Sequence, residues 1–506
     1  MLDLGRTLLY VTEREPSATA IIDGDTTLTY GEWLERTLRT VTGLDAIGLG
    51  RGDHLVTILQ NRLEAATLHW ACQLAGVVIT PVNWRAKPEE LDYVLDDSGA
   101  RAVCYEPVSA DAVANAPHAR DIHRIAVGGA GGGTVGFDDL SGHSLADAAS
   151  RAGPDDISVM LYTSGTTGRP KGVPRTHAAE RTAALAHVAQ NRYGYGERTL
   201  GVMPLYHTMG VRSLLSMALV SGGFVCQARF ETSGALDLIG RHRVTNLYLV
   251  PTLYHDLLAD PAFESSDVSS VRKLGFAGAP MTDGLLRRLS DAFRPELFVN
   301  HYGSSEIYTF TVCPDAPAKP GSAGKAGINQ RIRVVRIGGE DPNDTMPPNE
   351  EGEIIASLES DESFTGYWRR PEADAKSLRA GWYFTGDVGY FDVDGDLFVT
   401  GRVDDMMISG GENVMPVEIE SVLSLHPGVA EVAVAGLPDE RLGQRVTAFV
   451  TRRTEVDADT LDAYCKASAL ADFKRPRAYV FVRSIPKSPV GKILRRMLLA
   501  GEYEVE

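Results

Sequence analysis

A loop dense in hydroxyl groups and glycines is the part of this sequence whose residue types point most directly to chemistry. It follows the apolar run Ile157 to Tyr162, which predicts a buried strand. Glycines let backbone N–H groups turn toward an anion, while hydroxyl groups and a lysine add donors and a positive charge. The spacing is not that of a Walker A loop, so the pattern predicts a polyphosphate-binding loop of another kind. The predicted phosphate-binding residues are Thr163, Ser164, Gly165, Thr166, Thr167, Gly168 and Lys171.

Further motifs follow along the chain, and with this loop they resemble the adenylate-forming superfamily of acyl-CoA synthetases, nonribosomal peptide adenylation domains and beetle luciferases. These motifs are Phe276-Ala-Gly-Ala-Pro280, Tyr302-Gly-Ser-Ser-Glu306, Tyr383-Phe-Thr-Gly-Asp387, Gly401-Arg-Val-Asp-Asp405, Ser409-Gly-Gly-Glu-Asn413 and Pro489-Val-Gly-Lys492. The resemblance covers essentially the whole chain. Several stretches, Val334 to Gly339 among them, look most like bacterial 4-chlorobenzoate and related benzoate-type CoA ligases.

The resemblance implies a nucleotide site with a role for each motif residue. Tyr302 would stack on adenine, and the carboxylate of Asp387 would accept both ribose hydroxyls. Glu306 resembles the carboxylate that holds Mg²⁺, a hard cation that prefers oxygen ligands, and Ser305 looks like the hydroxyl that contacts the α-phosphate. The remaining residues that the resemblance places in the nucleotide site are Gly278, Ala279, Pro280, Gly303, Ser304 and Arg402.

The C-terminal motifs imply a moving catalytic lysine. Lys492 would bridge the attacking carboxylate and the phosphorus as negative charge builds up. Asp404 corresponds to the pivot on which the C-terminal domain of the family turns between two poses. In the second pose the hairpin containing Gly410 and Gly411 would replace the lysine, and these glycines would leave room for pantetheine.

We expect the acceptor to be free coenzyme A, because no carrier-protein domain follows in the printed sequence. Its phosphates would bind Arg85 and the basic cluster that contains Arg475, and Phe473 would stack on its adenine. The substrates and cofactors expected from the resemblance are therefore ATP, Mg²⁺, coenzyme A and a small carboxylic acid.

The acyl pocket should be an apolar chamber with two imidazoles. By motif position its lining residues are Leu185, Met203, His207, Thr208, Met209, Ala279, His301 and Gly303. We assign His207 a catalytic role facing the carboxylate, with a core histidine bonded to the backbone as the alternative reading. We hypothesise that His301 pairs with a ring hydroxyl, which points to benzoate or a hydroxybenzoate such as salicylate. The alternatives are a fatty-acyl-CoA ligase, an enzyme that loads a carrier protein, and a noncatalytic nucleotide sensor.

Two doubly wound α/β subdomains are needed to position these motifs. Strand patterns at Leu55 to Leu59 and Leu247 to Val250, with helices between successive strands, predict parallel sheets. Between Gly324 and Thr400, glycines and Asp-Gly turns predict an antiparallel sheet or small β-barrel. The last hundred residues predict a small α+β domain. Together with the pivot that the resemblance implies at Asp404, these patterns lead us to expect an N-terminal domain over 1–402, a hinge at 403–405 and a mobile C-terminal domain over 406–506.

Composition narrows the range of partners and location. The charge of −17 argues against nucleic acid or anionic lipid as a partner, so anionic ligands must bind through local cations. The five scattered cysteines, with no CxxC pair, fit a reducing cytoplasm. No apolar run approaches the roughly 18 residues that a membrane helix needs. A homodimer is one possible assembly.

The segment Gly131 to Gly136 matches G-x-G-x-x-G, the pattern of a dinucleotide-binding loop. We interpret it as a glycine-rich loop, because no long helix follows.

Overall fold

The structure is a computed structural model that describes residues 2–163, 169–468, 470–487 and 493–506, with the backbone alone for Asp404 and Asn413. The strands are β1 (Thr19–Asp23), β2 (Thr26–Thr29), β3 (His54–Ile58), β4 (Val78–Pro81), β5 (Ala102–Tyr105), β6 (His123–Ala126), β7 (Val135–Gly136), β8 (Ile157–Thr163), β9 (Lys171–Thr176), β10 (Arg198–Gly201), β11 (Gly223–Cys226), β12 (Asn246–Leu249), β13 (Lys273–Phe276), β14 (Leu297–Tyr302), β15 (Thr311–Cys313), β16 (Ser322–Ala326), β17 (Ile332–Val335), β18 (Gly352–Ser357), β19 (Leu378–Arg379), β20 (Trp382–Phe391), β21 (Leu397–Arg402), β22 (Met407–Ser409), β23 (Glu412–Val414), β24 (Val429–Asp439), β25 (Gly443–Arg452) and β26 (Ala478–Phe481). The helices are α1 (Leu4–Arg14), α2 (Tyr30–Ala46), α3 (Leu63–Ala75), α4 (Pro88–Ser98), α5 (Ala110–Asn115), α6 (Phe137–Ser141), α7 (His177–Gln190), α8 (Thr208–Leu219), α9 (Thr232–His242), α10 (Pro251–Ala259), α11 (Asp283–Phe293), α12 (Pro371–Ser377), α13 (Pro416–Ser424), α14 (Ala458–Ala467) and α15 (Arg495–Leu499).

The first sheet has seven strands in the order β7-β6-β5-β3-β4-β8-β9. Its pairs are parallel except for β8 and β9, which form an antiparallel hairpin. Alternate side chains of β3 enter different cores, Leu55 with α2 and α3, and Val56 and Ile58 with α4 and α5. Helices therefore cover both faces, and the predicted doubly wound arrangement is confirmed.

In the second sheet a set of parallel strands is followed by a set of antiparallel strands. Strands β1, β11, β10, β12, β13 and β14 run parallel, with Phe224 of β11 facing one core and Val225 the other. From β15 onward the pairing is antiparallel, in the order β15-β16-β21-β20-β18-β17. This order is open over the described residues, so the region predicted as a sheet or small barrel is a sheet that extends the second one.

The C-terminal part has its own sheet and cores. Strands β23-β22-β25-β24 form the sheet, with β26 paired to β25 in parallel. The buried members of its two apolar clusters all lie between Met407 and Leu498. A 3₁₀ turn at Val403–Asp405 joins this part to β21. The domain boundaries at 402 and 406, with a hinge between them, stay a prediction.

Other features noted in the sequence can be compared with the structure. The segment Gly131 to Gly136 ends in the two-residue strand β7, and α6, which follows it, has only five residues, so no long helix follows the glycines, as expected. All five cysteines are buried free thiols. None of the helices in the described ranges combines the length and the apolar composition that crossing a bilayer requires.

Candidate active site

The predicted phosphate loop joins the two strands of the β8–β9 hairpin. Thr163 and Lys171 are paired across the hairpin, so its strands hold the two ends of the loop side by side. Ser164, Gly165, Thr166, Thr167 and Gly168 lie outside the described residues. The hydroxyl of Tyr93, on α4, donates a 2.8 Å hydrogen bond to the carbonyl of Pro170 at the foot of the loop.

Lys171 and Glu306 lie on either side of a tyrosine that the sequence analysis did not single out. The Lys171 ammonium is 3.9 Å from the ring centroid of Tyr367, and the Tyr367 hydroxyl donates a 2.7 Å hydrogen bond to Oε1 of Glu306. Glu306 is 6% exposed. Burial lowers the pKa of Lys171, and the nearby Glu306 carboxylate opposes that shift. The Lys171 ammonium, which could bind polyphosphate, and the buried Glu306 carboxylate, which could bind Mg²⁺, thus contact the same side chain.

The second group of predicted residues surrounds Asp387. Tyr302 donates a 2.6 Å hydrogen bond to Oδ2, and Arg402 donates a 2.7 Å hydrogen bond to Oδ1. Pairing of β20 with β21 sets Asp387 opposite Arg402. Burial and the neighbouring Asp387 carboxylate raise the pKa of the Tyr302 phenol, so it remains a donor at neutral pH.

A tight turn after β14 connects these two groups. The N–H of Ser304 donates to the carbonyl of Ile307 at 3.0 Å, and the N–H of Ile307 donates to Oγ of Ser304 at 3.4 Å. A Cβ on Gly303 would lie 2.1 Å from the Tyr308 carbonyl oxygen, so only glycine fits. The turn places Tyr302 and Glu306 on one short segment, with Ser305 half-buried between them.

The segment predicted to face adenine follows the end of β13. Gly278 and Pro280 are exposed and Ala279 is half-buried. β13 is paired with β14 in parallel, so this segment and Tyr302 lie at the same edge of the sheet. Ligands of open parallel sheets bind at the carboxyl ends of strands, and this placement agrees with a nucleotide site.

The residues predicted to line the acyl pocket are only partly grouped. Met203 and Met209 are buried in one core, and His207 caps α8 by accepting a 3.4 Å hydrogen bond on Nδ1 from the Met209 N–H. Thr208 is half-buried. Leu185 on α7 is 40% exposed, a place that does not by itself support a pocket-lining role.

His301 lies in a buried polar cluster that the sequence did not predict. Its Nε2 is 3.0 Å from the side-chain nitrogen of Asn191, and its ring centroid is 4.9 Å from that of His187. Burial, with a contribution from the positive charge of Arg212, lowers the pKa of His301 far below its ordinary value. The ring is therefore neutral, and within the described part of the chain its Nδ1 makes no hydrogen bond. Tyr248 closes the cluster, 5.4 Å from His301 between ring centroids.

Most of the residues predicted to bind coenzyme A are exposed to solvent. Arg85 is exposed and lies 3.7 Å over the ring of Trp84, and Phe473 is 43% exposed. Gly410 and Gly411 are exposed at the β22–β23 turn, with φ of +62° and +88°.

Arg475 is more enclosed than its position in a basic cluster indicated. Its side chain is 11% exposed and pairs with Asp462 and, at 3.2 Å, with Asp472. The cluster therefore offers a ligand less positive charge than its composition suggests, because acidic residues from α14 and the preceding turn compensate it.

Lys492 lies outside the described residues, as do 488–491, but the residues on either side are described. Lys487 and Ile493 form an isolated antiparallel bridge, and the Leu494 N–H donates to the Pro486 carbonyl at 2.9 Å. Nη2 of Arg495 donates to both carboxylate oxygens of Glu420, at 2.6 and 2.9 Å. Asp404 belongs to the 3₁₀ turn between β21 and β22.

A cluster of three aspartates elsewhere in the protein is paired with a lysine. Asp392, Asp394 and Asp396 lie close together, and Lys319 pairs with all three, at 3.0 Å from Asp394 and 2.6 Å from Asp396. Glu306 is thus the better fit for a metal, since it offers a buried carboxylate beside the predicted phosphate loop.

Comparison with protein-family models gives two matches. The AMP-binding enzyme family matches residues 10–368, and the C-terminal domain of AMP-binding enzymes matches residues 418–492.

Curated relatives match nearly the whole chain. A feruloyl-CoA synthase from Amycolatopsis sp is 35% identical over 483 residues, which are 95% of each chain. A 4-chlorobenzoate–CoA ligase from Arthrobacter sp is 33% identical over 96% of this chain and 92% of its own. A long-chain-fatty-acid–CoA ligase, FadD13 of Mycobacterium tuberculosis, is 33% identical over 94% of this chain and 93% of its own.

Solved structures agree with this. The anthranilate CoA ligase AuaEII, in complex with anthranoyl-AMP, has a TM-score of 0.91 at 26% identity over 99% of this chain and 97% of that one. ATP-bound MatB from Rhodopseudomonas palustris has a TM-score of 0.88 at 29% identity over 99% of each chain.

Proposed function

Because the chain belongs to the family of AMP-binding enzymes and is an AMP-forming acid–thiol ligase, we propose that it converts an aromatic carboxylic acid to its CoA thioester. ATP would supply the AMP of an acyl-adenylate intermediate. The observation that carries the proposal is the convergence of Lys171, Glu306, Tyr302, Asp387 and Arg402 on one edge of the second sheet and the adjoining hairpin.

In the first half-reaction the acid attacks ATP. A carboxylate oxygen bonds to the α-phosphorus, the bond from that phosphorus to the bridging oxygen breaks, and pyrophosphate leaves with the electron pair. Lys171 and the loop before it would hold the leaving phosphates. Lys492 would stabilise the charge that develops between carboxylate and phosphorus. Mg²⁺, when bound, would be held by Glu306 and would neutralise phosphate charge.

Nucleotide binding would use the groups around Asp387. Both oxygens of Asp387 accept a hydrogen bond within the protein, which orients the carboxylate, and a carboxylate oxygen can accept more than one hydrogen bond, as ribose binding would require. Tyr302 would present its ring to adenine while its hydroxyl stays bonded to the same carboxylate. The sugar and base positions are therefore fixed by one connected group of side chains.

In the second half-reaction the thiol of coenzyme A attacks the acyl carbon. AMP leaves, the sulfur–carbon bond forms and the thiol proton passes to solvent. We propose that the domain over 406–506 turns at Asp404 between the two half-reactions and brings Gly410 and Gly411 to the pantetheine path. Arg85 and Phe473 are exposed and suited to the nucleotide end of coenzyme A.

For the acid we propose benzoate or a hydroxybenzoate such as salicylate. The neutral, buried ring of His301 has a nitrogen without a hydrogen bond among the described residues, and a ring hydroxyl could use it. The names of relatives that act on feruloyl, 4-chlorobenzoyl and anthranoyl groups support an aromatic acid. A fatty acid is the second candidate, favoured by the similarity to FadD13, and transfer to a carrier protein is the other alternative.

CoA-dependent release of AMP from ATP, measured with a panel of acids, tests the assignment. Benzoate, its three hydroxy derivatives and hexadecanoate should be compared by kcat/KM. The proposal predicts the highest value with an aromatic acid and none without acid. A clear preference for hexadecanoate would favour the fatty-acyl alternative, and AMP release that needs a phosphopantetheinylated carrier protein in place of coenzyme A would favour carrier loading.

A further inference from the structure

Tyr367 contacts Lys171 and Glu306, the two charged residues that the proposed function assigns to the β- and γ-phosphates of ATP. Its ring face lies 3.9 Å from the Lys171 ammonium, measured to the centroid, and its hydroxyl donates to Glu306 at 2.7 Å. Lys171 comes from the first sheet and Glu306 from the turn after β14 in the second. One side chain thus joins charges from two separately wound sheets.

The ring of Tyr367 is itself held on several sides. Its backbone N–H donates to Oδ1 of Asp374 at 2.8 Å, and its ring packs edge-on against Phe364 with centroids 5.0 Å apart. The side chain is 5% exposed. A tyrosine fixed in this way has few other rotamers, so its contacts with Lys171 and Glu306 are specified by the fold.

The chain on either side of Tyr367 is bonded to the same two elements as its side chain. The Phe364 N–H donates to the Glu306 carbonyl at 2.9 Å, and the Trp368 N–H donates to the Gly172 carbonyl at 2.9 Å. Residues 364–368 therefore form a strap from the Glu306 turn to the start of β9. The strap fixes how far apart Lys171 and Glu306 lie.

We propose that Tyr367 is a positioning residue for the β- and γ-phosphates of ATP. Its ring orients the Lys171 ammonium and its hydroxyl orients the Glu306 carboxylate, so a triphosphate meets a cation and an oxygen ligand at a preset spacing. This inference rests on the proposed function, because it takes Lys171 and Glu306 as the phosphate and metal residues. AMP lacks both of these phosphates and should bind without help from Tyr367.

Two substitutions separate the contributions of the ring and the hydroxyl. Tyr367→Phe keeps the ring beside Lys171 and removes the hydrogen bond to Glu306, whereas Tyr367→Leu removes both. Calorimetric binding of ATP and of AMP to the full chain gives a ratio that general damage to the fold would not change. We expect Tyr367→Leu to weaken ATP binding by about tenfold and AMP binding by less than about twofold, with Tyr367→Phe between wild type and Tyr367→Leu. The Phe variant should show most of its loss only when Mg²⁺ is present.

Tyr30→Phe is the matched control. The Tyr30 hydroxyl is buried on α2 and donates to the Gly222 carbonyl at 2.8 Å, so this variant loses a comparable hydrogen bond in a different apolar cluster from that of the strap. It should leave the ratio of the two affinities unchanged. Equal weakening of ATP and AMP binding in Tyr367→Leu, or no weakening of either, would overturn the inference.

The binding experiment also distinguishes failure of this inference from failure of the proposed function on which it rests. Lys171→Ala and Glu306→Gln should each weaken ATP more than AMP if those residues act on the distal phosphates. If they do so and Tyr367→Leu does not, the positioning role is wrong and the proposed function stands. If Lys171→Ala and Glu306→Gln leave both affinities unchanged, the assignment of the phosphate site itself is wrong.

Discussion

Asp387 and Lys171 are both engaged by neighbouring side chains of the protein itself. Asp387 accepts hydrogen bonds from Tyr302 and Arg402, and Lys171 rests on the face of Tyr367 next to Glu306. Such contacts hold side chains in a narrow range of orientations, which lowers the entropy that binding must remove. At this scale the site is a set of oriented pairs, and the chain's net charge of −17 does not describe the field that a ligand meets.

His301 gives the residue-scale prediction about the acid. Replacing His301 with alanine should reduce kcat/KM for the preferred hydroxybenzoate by about tenfold relative to benzoate, since one neutral hydrogen bond to the hydroxyl is lost. Steady-state kinetics with benzoate and its hydroxy derivatives measure the ratio. His69→Ala, which removes a buried histidine on α3, is the control and should leave the ratio unchanged. A hydroxyl preference that survives in His301→Ala would exclude this residue from substrate recognition.

At the scale of elements, Asp97 joins α4 to β8, to the last residue of the strap and to Arg370. Oδ1 of Asp97 accepts from Arg370 at 2.5 Å and Oδ2 accepts from Tyr162 at 2.8 Å, and its backbone carbonyl accepts from the Trp368 indole at 3.0 Å. Tyr93, on the same helix, bonds to the foot of the loop. The helix therefore supports the end of the hairpin from which the loop starts.

Asp97→Asn should raise the KM for ATP by about tenfold with a smaller change in kcat, because it weakens the charge-assisted contact with Arg370 next to Tyr162, which precedes the loop, and touches no substrate. Asp92→Asn is a matched control on the same helix, since Asp92 pairs at 3.0 Å with His118, whose side chain is 50% exposed. The control should change the KM by less than about twofold, as exposed pairs contribute little. Equal effects of the two substitutions would mean that Asp97 has no special connection to the loop.

The sequence predicts elements better than it predicts the contacts between them. The strands expected at Leu55 to Leu59 and Leu247 to Val250 are β3 and β12, because apolar runs are local signals. The partnership of Asn191 with His301 spans 110 residues and leaves no local trace. We expect Arg475 to bind a ligand phosphate from its sequence, yet Asp462 on α14 pairs with it.

The strap shows the same limit for the site. Tyr367 stands in an irregular segment between β18 and α12, where neither helical nor strand periodicity marks it. The motif residues were predictable because their types and order resemble a family. The side chains that orient them depend on which elements the fold brings together, and that information is not present in any short window of sequence.

At the scale of the whole molecule, several histidines are buried in the neutral form. Burial lowers the pKa of His69 to about 3, and that of His54 and His177 to about 4. Such groups bind fewer protons in the folded chain than in the unfolded chain, where the pKa is 6.5. Their contribution to stability is therefore complete above the unfolded pKa and is lost as the pH falls from 6.5 toward 4.

Thermal unfolding at several pH values tests this. We expect Tm to decrease between pH 6.5 and pH 4, before most carboxylates are protonated. His69→Leu removes one titrating group at similar volume and should make the decrease shallower, whereas His118→Leu, at an exposed site, should not. A Tm that stays constant over this range would show that these histidines titrate normally in the folded protein.

The central claim is that the chain forms an aromatic acyl-adenylate at this site, and acid-dependent exchange of labelled pyrophosphate into ATP tests it most directly. The account predicts exchange with a benzoate or hydroxybenzoate in the absence of coenzyme A, reduced about a hundredfold or more in Lys492→Ala. Lys487→Ala, which removes a nearby lysine paired with Glu431, should retain the exchange. Exchange that needs no aromatic acid, or that is undiminished in Lys492→Ala, would contradict the account.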